Sequence, residues 1–203
     1  MSLGQRPSSA PRSAWTNGAL LMTTARQDVI DTLLGQHQQV KMLFAQIDSA
    51  DGEHRQELFI ELVGTLALHE SIEQLLVHPL AGQELPDGGQ VVPPRLAEEE
   101  DAKQALSELY ELGVAHPDFD GRLAALRDDV TAHAEAEEEL EFLRLREMTA
   151  PDELARMAAV VAKAQALLQG SEQQRGALAG PPDQVFDRVR DLLNKSEGSE
   201  VQR

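Results

Sequence analysis

The sequence predicts an all-α protein, an antiparallel up-and-down four-helix bundle followed by one or two additional C-terminal helices. Three observations carry that prediction. Apolar residues recur at steps of three and four along four long segments, which is the period of an amphipathic helix. Alternating β-branched runs, the mark of a strand, are essentially missing. The connections between the segments are short, and short connections make successive helices antiparallel neighbours.

Taken in order, residues 1–22 ("MSLGQRPSSAPRSAWTNGALLM") are rich in Ser, Pro, Gly and Ala without any period. They read as a disordered N-terminal extension, inside which Met22 is an alternative start. Residues 23–148 hold the bundle. Its first helix sets Ile30, Leu33, His37, Val40, Phe44 and Ile47 on one stripe and ends in the turn-prone "DSADG". Its second aligns Phe59, Leu62, Leu66, His69, Glu73, Leu76 and Leu80, and is expected to break within "HPLAGQELPDGGQVVPP". The third carries Leu96, Glu99, Lys103, Leu106 and Tyr110 and stops at Gly113. The fourth starts after "HPD" and aligns Phe119, Leu123, Leu126, Val130, His133, Glu137 and Leu140.

Residues 149–195 supply the additional helices. "TAPDELARMAAVVAKAQALL" opens with Thr149 as the expected N-cap and Pro151 in the first turn. After the linker "QGSEQQRGALAGPP", "DQVFDRVRDLLNK" forms a short amphipathic helix with Val185, Val189 and Leu192 on its apolar face. Residues 196–203 are a polar tail.

Charge and composition narrow the function. The 203 residues carry 18 basic and 35 acidic side chains, a formal net charge of -17. Such a chain repels phosphate backbones and anionic lipid heads and concentrates cations, so nucleic acid is excluded as a partner. No apolar run approaches the roughly 20 residues of a membrane span, and "GALLM" is too short for a signal-peptide core, so a cytoplasmic location is expected. Cysteine is absent, which removes disulfides, thiolate ligands and a cysteine nucleophile. A bound metal would have to use nitrogen and oxygen.

The stripes themselves raise the functional question. His37 interrupts the first, His69 and Glu73 the second, His133 and Glu137 the fourth, each where a bundle core expects leucine. Ionisable groups are almost never fully buried unless paired, hydrogen-bonded or ligating a metal. Helical rise puts these intruders at one height: His37 and His69 fall roughly 18 and 22 Å from the first turn, at 1.5 Å per residue. Glu99 of the third helix and His133 of the fourth match from the other end. The spacing His-x-x-x-Glu, present in both the second and fourth helices, stacks its two members on one helix face. Imidazoles and carboxylates from opposed helices can therefore grip a pair of metals, with the carboxylates bridging. Mixed nitrogen and oxygen donors suit iron or manganese; zinc is an alternative that usually settles for four ligands.

Blander readings stand beside this one. Glu99 and Lys103 have the spacing of a helix ion pair. Glu70, Glu98, Glu100 and the run "EAEEELE" read mostly as solvated faces. His54 and His116 fall in turn regions. His78 ends the second helix, where it would cap carbonyls or hydrogen-bond to the metal layer from outside. A ferritin-like site is excluded, because only His54 has an acidic residue three positions before it, and that pair lies in a turn.

The segments "QHQQVKMLF", "LALHESIEQLLVHPL" and "HAEAEEELEF" together resemble the hemerythrin-like HHE cation-binding domains, across about residues 24–147. The resemblance implies that His37, His69, Glu73, His133 and Glu137 ligate metal. Glu99 fits a terminal place, and Glu70, beside His69, matches an extra ligand used by some relatives. It further implies two iron ions, oxo- or carboxylate-bridged, that bind or react with O2, peroxide or NO. The third helix departs from the oxygen carriers of that family, which take histidine from it, whereas "PRLAEEEDAKQALSELY" has none. Added carboxylate favours ferric iron and argues against reversible oxygen carriage. A metal- and O2-binding protein is expected over an enzyme, with peroxide- or NO-directed redox activity as the enzymatic form. The alternatives are an iron- or oxygen-sensing module without turnover, which presents its C-terminal helices to a protein partner, and a metal-free helical scaffold with a hydrogen-bonded polar layer.

Overall fold

The helix around His37 begins with a reciprocal cap. Asp28 accepts a hydrogen bond from the Asp31 backbone N–H at 2.9 Å, and the Asp31 carboxylate accepts one from Asp28 N–H at 3.2 Å. Arg146, more than a hundred residues later, donates to both carboxylates at 2.7 and 2.6 Å and ties the end of the bundle to its start. This computed structural model describes residues 27–169, 178 and 180–198, all helix or short connection. The expected N-terminal extension 1–22, most of the linker and the end of the tail lie outside the described residues.

From that cap, α1 (Val29–Ser49) runs with all six of its stripe residues buried. α2 (Gly52–Ile72) follows a turn in which Gly52 takes a φ of 53°, a left-handed conformation that glycine adopts without steric penalty. α2 passes through a π-helical turn, Glu73–Val77, into α3 (His78–Glu84). α4 (Gly88–Leu112) ends where expected at Gly113, with φ 79°. α5 (Phe119–Glu137) passes through a second π-helical turn, Glu138–Phe142, into α6 (Leu143–Met148). α7 (Pro151–Gln169) and α8 (Pro182–Gly198) are the additional helices.

α1 packs on α2 and α5, and α4 on α5; α8 lies against α2, α4 and α7, and α7 also against α1. The four bundle helices thus enclose a core, and the two later helices cover one side of it. Phe44, Phe59, Phe119 and Phe142 are fully buried there, each contributing roughly 1.5–3 kcal/mol by leaving water. Phe59 and Phe119 meet edge to face at 5.3 Å between centroids. α8 adds Val185, Phe186, Val189 and Leu193 to the same apolar cluster. Leu192, expected on its apolar face, is only half-buried.

Several boundaries differ from the sequence reading. The second helix does not break at Pro79. That proline stands directly after the π turn, in the first turn of α3, where its missing N–H interrupts little. The third helix starts eight residues before Leu96, with Pro93 and Pro94 inside it. Both prolines are exposed, so the carbonyls they leave without a donor face water. Thr149 is the C-cap of α6 and not the N-cap of α7. Its N–H returns to the Leu145 carbonyl, while the Ala150 carbonyl accepts the first N–H groups of α7.

The π turns explain a further difference. Each inserts one residue, which rotates everything beyond it by about 100°. After Glu73 the residues carried inward are Val77, His78 and Ala81, while Leu76 and Leu80 are only partly buried. After Glu137 they are Glu141, Phe142 and Leu145, and Leu140 is left 50% exposed.

Candidate metal centre

The polar layer predicted from the stripes exists, and it is buried. His37, His69, Glu73, Glu99 and Glu137 are each at most 4% exposed, and His133 is nearly as enclosed. α1 supplies His37, α2 supplies His69 and leads into Glu73, α4 supplies Glu99, and α5 supplies His133 and Glu137. Two groups of donor atoms form within the layer, each lying within 4.8 Å of one another: His37, His69, Glu73 and Glu137 in one, Glu73, His78, Glu99 and Glu137 in the other. Glu73 and Glu137 belong to both.

His78 enters the second group as a residue the sequence reading placed outside the centre. Its Nε2 lies 2.5 Å from Glu99 Oε1 and 3.8 Å from Glu137 Oε1. The signal was available but weak: His78 follows Glu73 by five residues, the spacing that stacks side chains across a π turn but not across an α-helical one. Glu141 was hidden in a charge run read as solvated, yet it is fully buried against His78. Its spacing of four from Glu137 could have found it. Glu70 corrects the same assumption, being 3% exposed.

His133 and Glu70 stand outside both groups. His133 Nε2 is 3.2 Å from Glu137 Oε1, at the edge of the layer. Glu70 lines a cavity of about 320 Å³ together with His37, His69, Glu99 and His133. Val40, Phe44, Leu66 and Val130 give that cavity an apolar wall, and the exposed Asp101 and Asp129 also line it, together with Lys41. The Glu99–Lys103 ion pair does not form; Lys103 faces Asp183 of α8 at 3.5 Å instead.

The histidines share one arrangement. Each turns one ring nitrogen inward and has the other, Nδ1, held by an oxygen outside the centre: His37 by Glu138 at 2.8 Å, His69 by Gln36 at 3.1 Å, His78 by Glu141 at 2.8 Å and His133 by Glu98 at 2.8 Å. An acceptor at Nδ1 fixes a hydrogen there, so a neutral ring carries its lone pair on Nε2. The Nε2 atoms of His37 and His69 face each other at 3.1 Å. A cation between them would be within reach of both nitrogens.

Electrostatics give the same picture. Burial, reinforced by the neighbouring His37, pushes the His69 pKa down to about 3, so it is neutral. Burial and then Glu137 push Glu73 well above the ordinary carboxylate range. Burial and then Glu99 do the same to Glu70. Burial works against protonation of His78, but the hydrogen bonds to Glu141 and Glu99 outweigh it and raise its pKa to about 10. His133 is likewise raised, burial being outweighed by Glu137 and Glu98. Glu137 is lowered, because His133 and His37 outweigh its burial. The oxygens of Glu73 and Glu137 face only imidazole nitrogens of the layer, at 3.2 Å from His69 and from His133, and have no partner outside it, although buried carboxylates are almost always hydrogen-bonded. Oxygens without a partner outside the layer, Nε2 atoms turned inward and carboxylates whose pKa burial raises all fit a missing positive charge.

Fold and centre together define a class: a four-helix bundle with a buried imidazole and carboxylate layer suited to cations. The chain belongs to the hemerythrin HHE cation binding domain family, whose model matches residues 28–145. It is similar to a solved hemerythrin HHE cation binding domain-containing protein, an Rv2633c homolog from Mycobacterium kansasii. The two are 25% identical with a TM-score of 0.61, over 83% of this chain and 98% of that one. The likeness therefore extends beyond the residues that match the family. No curated protein matches the sequence.

Proposed function

We propose that the layer holds two iron ions and that the protein binds or reacts with O2, peroxide or NO there. The observation that carries this reading is the pair of four-donor groups joined by Glu73 and Glu137. A carboxylate common to two groups has two oxygens to share between two cations, which is what a bridge requires. His37 and His69 would hold one ion, and His78 and Glu99 the other. His133, beside Glu137, adds a further nitrogen, while Glu70 lies in the wall of the approach. Mixed nitrogen and oxygen donors favour iron or manganese over calcium, which takes oxygen alone.

Two octahedral ions call for more donors than these side chains supply, so iron held here would keep a coordination position open to a diatomic ligand or peroxide. The chain's own residues do the rest. The outward hydrogen bonds of the four histidines fix each imidazole in orientation and tautomer before any cation arrives. The apolar wall of the cavity limits water near the centre, and the net charge of -17 draws cations toward the protein. No helix of the described residues is long and apolar enough to cross a membrane, and we place the protein in the cytoplasm on the grounds given by its sequence.

The test is the metal content of the purified protein, with near-ultraviolet charge-transfer bands recorded before and after O2, peroxide and NO. Two irons per chain with bands that respond to one of these ligands is the expected result. Protein that takes up no transition metal, or iron whose bands ignore all three ligands, contradicts the proposal.

A further inference from the structure

One chain of hydrogen bonds leaves the centre and ends on an added helix. Arg190 of α8 donates from Nη2 to Gln74 Oε1 at 2.6 Å. Gln74 Nε2 in turn donates to Glu99 Oε2 at 2.5 Å. The other oxygen of Glu99 faces inward, 2.5 Å from His78 Nε2. We infer that Arg190 is a positioning residue for the cation centre, acting through Gln74 to fix how Glu99 presents its carboxylate. This inference rests on the cation-binding reading above and adds the added helix as a part of the centre.

The Gln74 amide sets the direction of the chain. A glutamine side chain can turn either end toward a neighbour, and a carboxylate needs the NH2 end. Arg190, which can only donate, binds the carbonyl end and so leaves the NH2 end for Glu99. The guanidinium charge also polarises the amide and strengthens the second hydrogen bond. Glu99 is then occupied on Oε2 and offers Oε1 alone to the interior. Glu73 and Glu137 differ, their oxygens facing only imidazoles of the layer and having no partner outside it. Of the three carboxylates in the two donor groups, Glu99 alone is tied outward through such a link.

α8 is placed to make this link durable. Val185, Phe186, Val189 and Leu193 anchor it in the core, and Lys103 of α4 both faces Asp183 at 3.5 Å and lies over the Phe186 ring at 5.7 Å. α8 therefore rests on α2 and on α4, the helix that carries Glu99. Arg190 lies outside residues 28–145, so the family region alone lacks this restraint.

The experiment uses the full-length metal-free protein, titrated with cobalt(II) and followed by its visible absorption. Four proteins are compared: wild type, Arg190→Ala, Arg190→Lys and Gln74→Leu. Wild type is expected to bind two cobalt ions. Arg190→Ala and Gln74→Leu are expected to weaken one of them by about 10-fold and to shift its absorption, because outer partners of metal ligands contribute on that scale. Arg190→Lys, which can still donate to the Gln74 carbonyl, restores most of the affinity. Two-ion binding by all four proteins with identical affinity and spectra overturns the role of Arg190 and leaves the cation reading intact. So does equal weakening of both ions accompanied by a lower melting temperature of the metal-free variants, which marks lost packing of α8. A wild type that binds no cobalt overturns the cation reading and this inference with it.

Discussion

The two ends of the buried layer are built differently. At the end formed by His37 and His69, regular helices bring two imidazoles from adjacent antiparallel segments to 3.1 Å. At the end formed by His78 and Glu99, one residue arrives only because a π turn rotates the chain beyond Glu73, and the other is held from outside by Gln74. The first end follows from spacing in ordinary helices. The second depends on an irregular turn and on a neighbouring helix, so it is the end that small changes should disturb. Glu73 and Glu137 stand between the two and belong to both.

That contrast predicts a hierarchy of effects. The largest should come from the shared carboxylates: Glu73→Gln or Glu137→Gln keeps the volume but removes the charge that both groups use. Elemental analysis after iron loading should show the content falling from two ions per chain to nearly none. A variant that still held one ion would mean that the ends are independent.

Next in size are variants of one end. His78→Ala should leave one ion per chain, with the His37 and His69 end intact, and His37→Ala should do the converse. His133→Ala should retain two ions at saturation with affinity weakened by about 10-fold, as expected for a donor beside the groups. Equal loss from His133→Ala and His78→Ala would erase the distinction drawn between them.

Acidity should separate the ends as well. The pKa of His78 is raised to about 10 in the fold from an ordinary 6.5. Its contribution to the stability of the metal-free protein is fully present below pH 6.5 and is lost as the pH climbs through about 10. His69 is lowered to about 3, so its contribution is present above pH 6.5 and is lost as the pH falls through about 3. Thermal melts of metal-free protein should show both limbs, and His78→Gln should flatten the alkaline one. Cation binding must also displace the proton of His78, so apparent affinity should rise with pH and calorimetry should detect proton release.

The smallest effect concerns the frame alone. Asp28→Ala removes the cap of α1 and part of the hold of Arg146 on it. A loss of about 1 kcal/mol in denaturant unfolding is expected, without change in iron content. A changed iron content would show that the frame and the centre are coupled.

Much of this architecture was legible in the chain. The stripe of α1 is buried at every predicted position, and the register that aligned His37 with His69 by counting residues is met by direct contact of the two rings. Glu99, ambiguous between an ion pair and the centre, is resolved by Lys103 turning to α8, a contact beyond any local pattern. His78 and Leu140 were misplaced for one reason, whereas Glu141 was lost in a charge run. Periodicity arguments assume 3.6 residues per turn, and a single inserted residue in each of two helices moves every later side chain to another face. Pro79 and the paired Pro93 and Pro94 misled in a related way, since a proline beside a π turn or on a solvent-facing turn disrupts less than one in a buried helix.

If Glu73 and Glu137 serve two cations at once, both ions depend on them, and an ion count decides it. Iron-loaded protein, freed of loosely bound metal and analysed for iron against protein concentration, should contain two ions per chain. In Glu73→Gln and Glu137→Gln that number should collapse for both ions together. One ion per chain in the wild type, or none, would contradict the account.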